Sequence, residues 1–336
     1  MTMERTPSVL RDKFGRVATD LRVSLTDRCN LRCRYCMPAE GLDWLPGAEI
    51  LSDDELFALI RIAVERLGVR EVRFTGGEPL LRQRLVDLLA RIKKLTPTPQ
   101  MSLTTNGIHL GRHANALADS GLDRVNVSLD TLDRDRFVAI TRRDRLDDVL
   151  SGLAAAVQAG LTPVKVNAVL LRGINESDAV PLLRYCLANG YQLRFIEQMP
   201  LDAQRQWSRS EMISADETLR LLGSTFHLSR APEPRGSAPA EEFLVDGGPG
   251  RVGIVGSVTH PFCRACDRTR LTADGQVRSC LFSQQETDLR SILRRGGSED
   301  EIVHAWRAAM LGKLAGHAMD SDGFVQPVRP MSAIGG

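Results

Sequence analysis

The run Arg22-Val23-Ser24-Leu25-Thr26-Asp27-Arg28-Cys29-Asn30-Leu31-Arg32-Cys33-Arg34-Tyr35-Cys36 joins an alternating apolar segment to three thiols spaced C-x3-C-x2-C. Three soft ligands this close point to a metal site. A tetrahedral zinc site or an ordinary [4Fe–4S] cluster takes four ligands, so the fourth must come from elsewhere in the chain or from something that is not protein. The alternative is that these are buried free cysteines acting as small hydrophobes. Arg28, Asn30, Arg32 and Arg34 interleave with the thiols, however, and suit a core strand badly.

Outward from this stretch, short apolar or alternating runs recur at 71–75, 101–104, 124–129, 163–170 and 192–196, each followed by a polar or glycine-bearing loop. Helical patterns lie between most of them. In the clearest, 52–67, Leu56, Leu59, Ile60, Ala63, Val64 and Leu67 share one face, and Ser52 with Glu55 spells a capping box. Others run over about 81–95, 112–120, 146–159 and 179–189, and Ser214 with Glu217 starts one more. Strands alternating with helices predict βαβ units and a parallel sheet. The fold class is therefore α/β, and six units predict a partial (β/α)6 barrel with its site at the carboxyl ends of the strands. The informative residues fall at those ends: the first cysteines, Gly76-Gly77-Glu78-Pro79, Thr104-Thr105-Asn106-Gly107, Ser128 with Asp130, and Glu197-Gln198-Met199-Pro200; Lys165 and Asn167 lie on the fifth strand.

With 336 residues there is room for a barrel and an appendage. The composition shifts to Pro, Gly, Ala and Glu over about 229–250, which predicts an irregular connection. The boundary is placed loosely over 200–217, dividing the chain into a partial barrel (1–213) and a C-terminal α+β extension (214–336). The 44 basic and 42 acidic residues, net +2, give no global field that would argue for nucleic acid or a membrane surface. The first twenty residues are charged, and no run approaches the ~20 apolar residues of a membrane span, so a cytoplasmic protein is expected. Six of the seven cysteines sit in tight or paired spacings and read as metal ligands; Cys186 reads as a core residue.

The second group, Cys263-x2-Cys266-x13-Cys280, again supplies three thiols. A zinc knuckle completed by His260 or Cys186 is one reading, and a second cluster with a free iron corner is the other. Arg268-Thr269-Arg270 lies between these thiols, placed to receive phosphates beside such an iron. A basic pocket without a basic protein is what a small polyanionic substrate requires.

The first triad with Tyr35 resembles the signature of the radical S-adenosylmethionine (SAM) superfamily. Taken with Arg73-Phe74-Thr75-Gly76-Gly77-Glu78-Pro79-Leu80, Thr104-Thr105-Asn106-Gly107, Val127-Ser128-Leu129-Asp130, Arg194-Phe195-Ile196-Glu197, Met199-Pro200, the second triad and the terminal Gly335-Gly336, the sequence resembles the GTP 3′,8-cyclase family. That family opens molybdenum cofactor biosynthesis. The resemblance implies two [4Fe–4S] clusters, one on Cys29, Cys33 and Cys36 and one on Cys263, Cys266 and Cys280. It implies SAM against Tyr35, Gly77, Ser128 and Met199, and GTP against Arg22, Arg73, Thr104, Lys165, Arg268, Thr269 and Arg270. It places Arg268, Arg270, Gly335 and Gly336 in the catalytic machinery; by residue type alone the terminal glycines read as a frayed tail. In the family a 5′-deoxyadenosyl radical takes H3′ of the ribose and the carbon radical adds to guanine C8. The partners implied are a low-potential electron donor and cyclic pyranopterin monophosphate synthase as recipient of the product, with a monomer or homodimer as the assembly. Glu71 stands where relatives commonly carry a basic residue, which bears on a secondary phosphate contact and leaves Arg73 untouched. Two other readings remain: a different twin-cluster radical SAM enzyme, such as a peptide-modifying one, and a zinc-binding interaction protein.

Overall fold

The apolar runs become strands whose alternate apolar residues pack in one core with the helices, while polar residues between them face the other side of the sheet. The computed structural model describes residues 9–319 and 324–335. A short hairpin of β1 (Leu10–Arg11) and β2 (Val17–Ala18) precedes β3 (Asp20–Ser24). Next come β4 (Glu71–Thr75), β5 (Gln100–Thr105), β6 (Arg124–Ser128), β7 (Lys165–Ala168) and β8 (Gln192–Ile196), which with β3 form six adjacent parallel strands in sequence order. Each lies within a residue or two of its predicted span, apart from the fifth, whose ordered part is shorter.

The helices Asp53–Glu65, Leu85–Ile92, Leu110–Asp119, Leu146–Gln158 and Ala179–Ala188 supply the crossovers. The first begins with the predicted capping box, Ser52 Oγ accepting from Glu55 N while Glu55 accepts from Ser52 N. All six residues of its expected apolar face are buried. Each large one contributes roughly 1.5–3 kcal/mol by leaving water. Cys186 is buried in the same core.

The C-terminal part extends the same sheet. After β9 (Leu228–Arg230) and β10 (Glu241–Val245), strand β11 (Arg251–Val255) pairs parallel with β8. On the opposite edge β12 (Arg268–Leu271) pairs parallel with β3, and β13 (Gln276–Arg278) and β14 (Thr287–Asp288) continue antiparallel. Among the described residues this makes a twelve-stranded sheet ordered β14-β13-β12-β3-β4-β5-β6-β7-β8-β11-β10-β9, which does not close into a barrel.

Two local expectations need correction. The stretch 229–250 contains β10, whose Phe243 and Val245 are buried while Glu242 and Leu244 beside them are half-exposed. Pairing with β11 supplies an order that composition does not reveal. The helix Arg134–Thr141 was not expected, since its Phe-Val-Ala-Ile-Thr run favours strands. Asp133 caps it, accepting from Arg136 N at 2.9 Å.

Candidate functional site

The cysteine loop leaves β3 and is gripped at once by the glycine run after β4. Gly77 N donates to Thr26 O at 2.7 Å, and Glu78 N to Arg28 O at 2.7 Å. A Cβ on Gly77 would overlap the Arg28 carbonyl, so glycine is required by close approach. Glu78 turns inward and accepts from Thr105 Oγ1 (2.7 Å), Asn106 N (2.7 Å) and Leu80 N (3.0 Å). Burial pushes its carboxyl up to about 7. Asn106 Nδ2 in turn donates to Asn30 Oδ1 at 2.7 Å, inside the loop. From the other side, the unexpected helix accepts Arg32 N at Thr141 O and Arg34 N at Ile140 O, both at 3.0 Å.

Cys29, Cys33 and Cys36 line one cavity with Tyr35, Gly77, Ser128 and Met199, the residues expected around SAM. Asp130 joins them, accepting Tyr35 OH at 2.8 Å and Val169 N at 2.8 Å, and burial pushes it up to about 6. Burial raises all three thiols above their ordinary value. Cys36 adds to the rise at Cys33, and Cys29 to that at Cys36. Three such sulfurs resist becoming separate anions, and a polycationic centre binding them together would remove that resistance. The donor set fits an iron–sulfur cluster.

Cys263, Cys266 and Cys280 line a second cavity with Arg22, Arg73, Arg194, Arg268 and Arg270. Burial, then Cys280 and Cys266, push Cys263 up. Burial also acts against the Cys266 thiolate, but the cations Lys313 and Arg268 outweigh it and its thiol falls below the ordinary value. Three thiols lining one cavity, one of them more acidic than an ordinary cysteine, fit a second cluster. Among the described residues no three His, Cys, Asp or Glu side chains converge tightly enough to hold a single metal ion. Thr104, Asn167, Ile196 and Met199 line both cavities, so the cavity of the first triad and that of the second adjoin along a shared wall.

Strand register builds the cationic floor. Arg270 pairs with Arg22 and Arg22 with Arg73, a row of guanidinium groups across β12, β3 and β4. Like charges facing each other across strands are destabilising, so the row calls for an anion. Burial and Arg73 hold Arg22 below the usual arginine range; burial and Arg22 do the same to Arg270. One carboxylate, Asp20, stands 3.7 Å from Arg22, 3.8 Å from Arg73 and 3.7 Å from Arg268, and Asp267 lies 3.9 Å from Arg268. The Nε atoms of these three arginines are buried without a hydrogen-bond acceptor. A polyanion with several oxygens would relieve the repulsion and satisfy the donors.

Two expected contacts sit differently. Thr269, between the two arginines, faces the opposite side of the sheet, where its hydroxyl accepts Trp306 Nε1 at 3.0 Å in the core. Strand alternation makes this unavoidable once Arg268 and Arg270 face the cavity. Lys165 lies outside the lining of either cavity, half-buried beside Arg194, Arg124 and Arg73; burial and those cations push it down to about 8. Glu71 accepts Arg124 Nη2 at 2.9 Å.

The tail enters the site. Met331 and Ser332, in the short helix Met331–Ile334, line the first cavity, and Ile334 is fully buried. Gly335 O accepts from Arg270 Nη1. Its φ is +81°, and a Cβ there would overlap Ser24 and Thr75. The frayed-tail reading therefore fails at Gly335, while Gly336 lies outside the described residues. Sequence reading passed over Arg194 as a lining residue and Lys313 as a neighbour of Cys266; only the Arg-Phe-Ile-Glu run hinted at the first.

Comparison with known proteins identifies the class. Residues 23–186 match the model of the Radical SAM superfamily, and residues 191–319 match Molybdenum Cofactor Synthesis C. The protein with SAM bound named SuiB, from Streptococcus suis, has the same fold, with a TM-score of 0.56 at 14% identity over 83% of this chain and 66% of that one. The fold and triads thus define a radical SAM protein with a molybdenum-cofactor-type C-terminal region. Relatives named GTP 3′,8-cyclase are 63% identical in Mycobacterium marinum (97% of this chain, 92% of the relative) and 63% identical in Streptomyces coelicolor (98% and 96%). GTP 3′,8-cyclase 2 of Mycobacterium tuberculosis is 63% identical over 98% of this chain and 93% of its own length. The chain belongs to the GTP 3′,8-cyclase family.

Proposed function

We propose that this chain converts GTP to (8S)-3′,8-cyclo-7,8-dihydroguanosine 5′-triphosphate, the first step of molybdenum cofactor biosynthesis. The carrying observation is that the cavities of two cysteine triads adjoin at Thr104, Asn167, Ile196 and Met199, with the arginine row lining the second. In this reading Cys29, Cys33 and Cys36 hold one [4Fe–4S] cluster, and Cys263, Cys266 and Cys280 hold another. When bound, the first cluster and SAM supply the radical chemistry that takes H3′ and lets the ribose carbon add to guanine C8. The protein binds, orients and excludes water.

Tyr35, Gly77, Ser128 and Met199 would surround SAM, with Asp130 fixing the Tyr35 phenol. Arg22, Arg73, Arg268 and Arg270 would take the triphosphate, with Thr104 at the shared wall beside the ribose. Thr269 would contribute through the strand that carries its neighbours rather than by touching GTP. Gly335 and Gly336 would close the site over the substrate.

The division of the chain at 213/214 is part of this proposal. Residues 1–213 would generate the radical, and 214–336 would hold the substrate, although one sheet carries both. Among the described residues no helix is long and apolar enough to cross a membrane. On composition we place the protein in the cytoplasm, as a monomer or homodimer taking electrons from a low-potential donor and passing its product to cyclic pyranopterin monophosphate synthase.

The test is anaerobic reconstitution followed by incubation with SAM, a reductant and GTP. Equal amounts of 5′-deoxyadenosine and cyclised nucleotide are expected; if neither forms, the proposal fails.

Lys165 yields a separate prediction. Above its pKa of about 8 its amine is largely uncharged in the free chain. A nearby triphosphate would favour the charged form, so GTP binding above about pH 8 should take up a proton and weaken as pH rises. Calorimetry in buffers of different ionisation heat reads that proton directly, and Lys165→Met should remove it. Binding without proton uptake would separate Lys165 from the GTP site.

A further inference from the structure

Lys313 follows the helix Glu299–Leu311 and is only 3% exposed. Its ammonium donates to Arg268 O at 2.8 Å, to Cys266 O at 3.3 Å and to Cys266 Sγ at 3.4 Å. All three donors are thus used, and none meets a carboxylate: among the described residues Lys313 has no ion-pair partner. A buried cation without an anion is costly, so sequences retain one only where something negative stands beside it. Here the adjoining candidate is the sulfur of Cys266.

The segment is fixed in that position from a second direction. Arg16, in the N-terminal hairpin, donates to Cys263 O at 2.7 Å and to the carbonyls of Leu314 (2.6 Å) and Ala315 (3.0 Å), locking the residues after Lys313 to the cysteine loop. Lys313 lines neither cavity, so it does not reach substrate.

The first triad is built differently. The donors that reach its sulfurs among the described residues are neutral: Leu31 N at 3.5 Å and Asn106 Nδ2 at 3.9 Å to Cys29, and the Tyr35 side chain to Cys33. At Cys266 the Arg268 backbone is joined by two cations, Lys313 and, at 3.8 Å, Arg268 Nη1. Positive charge and hydrogen bonds at a cluster's sulfurs stabilise its reduced, more negative state and raise its potential.

We propose that Lys313 is a positioning residue and the fixed counter-cation of the metal centre on Cys263, Cys266 and Cys280, holding that centre at a higher reduction potential than it would otherwise have. The inference rests on the reading that both triads hold clusters. Its consequence is that the substrate-side centre does not compete with the radical-generating one as the strongest reductant in the molecule.

The experiment uses the full chain, anaerobically reconstituted without GTP, as wild type, Lys313→Met and Lys313→Arg. Iron is counted, and each centre is titrated by electron paramagnetic resonance. Lys313→Met is expected to keep about eight irons per chain, to shift one midpoint to more negative potential and to leave the other in place. Lys313→Arg should return the shifted midpoint toward wild type. Full iron with both midpoints unchanged in Lys313→Met overturns the proposal. If that variant loses iron instead, the melting of cluster-free chains decides. A purely structural lysine predicts that cluster-free Lys313→Met melts lower than wild type, which also overturns the proposal; a counter-cation predicts that it melts no lower and that only the gain on cluster loading shrinks. Wild type with about four irons would instead overturn the two-cluster reading, and this inference with it.

Discussion

A chain ending at Ile334 is expected to bind SAM and GTP yet form very little cyclised nucleotide. Met331 and Ser332 would still line the SAM-side cavity. What is lost is Gly335, whose carbonyl engages Arg270, together with Gly336 beyond it. Arg270 would keep its charge but lose the acceptor that aims it. One hydrogen bond to a charged group contributes roughly 1.5–3 kcal/mol, and misaligned reacting groups add to that loss. A fall in product of ~100-fold or more is therefore expected, against dissociation constants within a few-fold of wild type. Gly335→Ala should act in the same direction, because its φ of +81° and its contact with Ser24 and Thr75 leave no room for a methyl group. Normal product from the truncated chain would show that the docked tail is incidental.

Arg270→Ala should lower kcat/KM for GTP by roughly 100-fold while iron content stays at the wild-type level. The side chain has two duties: it lies in the arginine row beside Arg22, and it holds the tail. Removing it relaxes repulsion within the row, so the fold should tolerate the change. Arg270→Lys should recover only part of the loss, since an ammonium cannot satisfy a phosphate and a carbonyl with one planar fork. Arg268→Ala should weaken turnover similarly; its guanidinium also stacks on Phe262, 4.9 Å from the ring centroid. Unchanged iron content is the control. An Arg270→Ala chain with wild-type turnover would remove that residue from the site.

Much of this was legible in the sequence because the chemistry is local. The C-x3-C-x2-C loop, the Gly-Gly-Glu-Pro turn and the strand-end polar residues each carry their role within a few positions, and the expected SAM residues do line one cavity. The strands were readable for the same reason. Properties set by distant pairing were not. Nothing near Glu241–Val245 announces that β11 will order it, and nothing in Arg268-Thr269-Arg270 says which face the middle residue takes until β12 is set against β3. Lys313 is the extreme case. It is one of five lysines in the sequence, and among the described residues only burial beside Cys266 without a carboxylate distinguishes it.

The pairing of β12 with β3 also governs when the protein becomes functional. Arg270 meets Arg22 only after almost the whole chain has left the ribosome. Contacts so distant in sequence close slowly, and a chain of this size passes through partly ordered states on the way. The first cysteine loop can settle against β4 and β5 early, whereas the arginine floor and the second triad must wait for the last third of the chain. Iron loading would then follow an intrinsic schedule, with the radical-generating centre assembled before any pocket exists to hold its target.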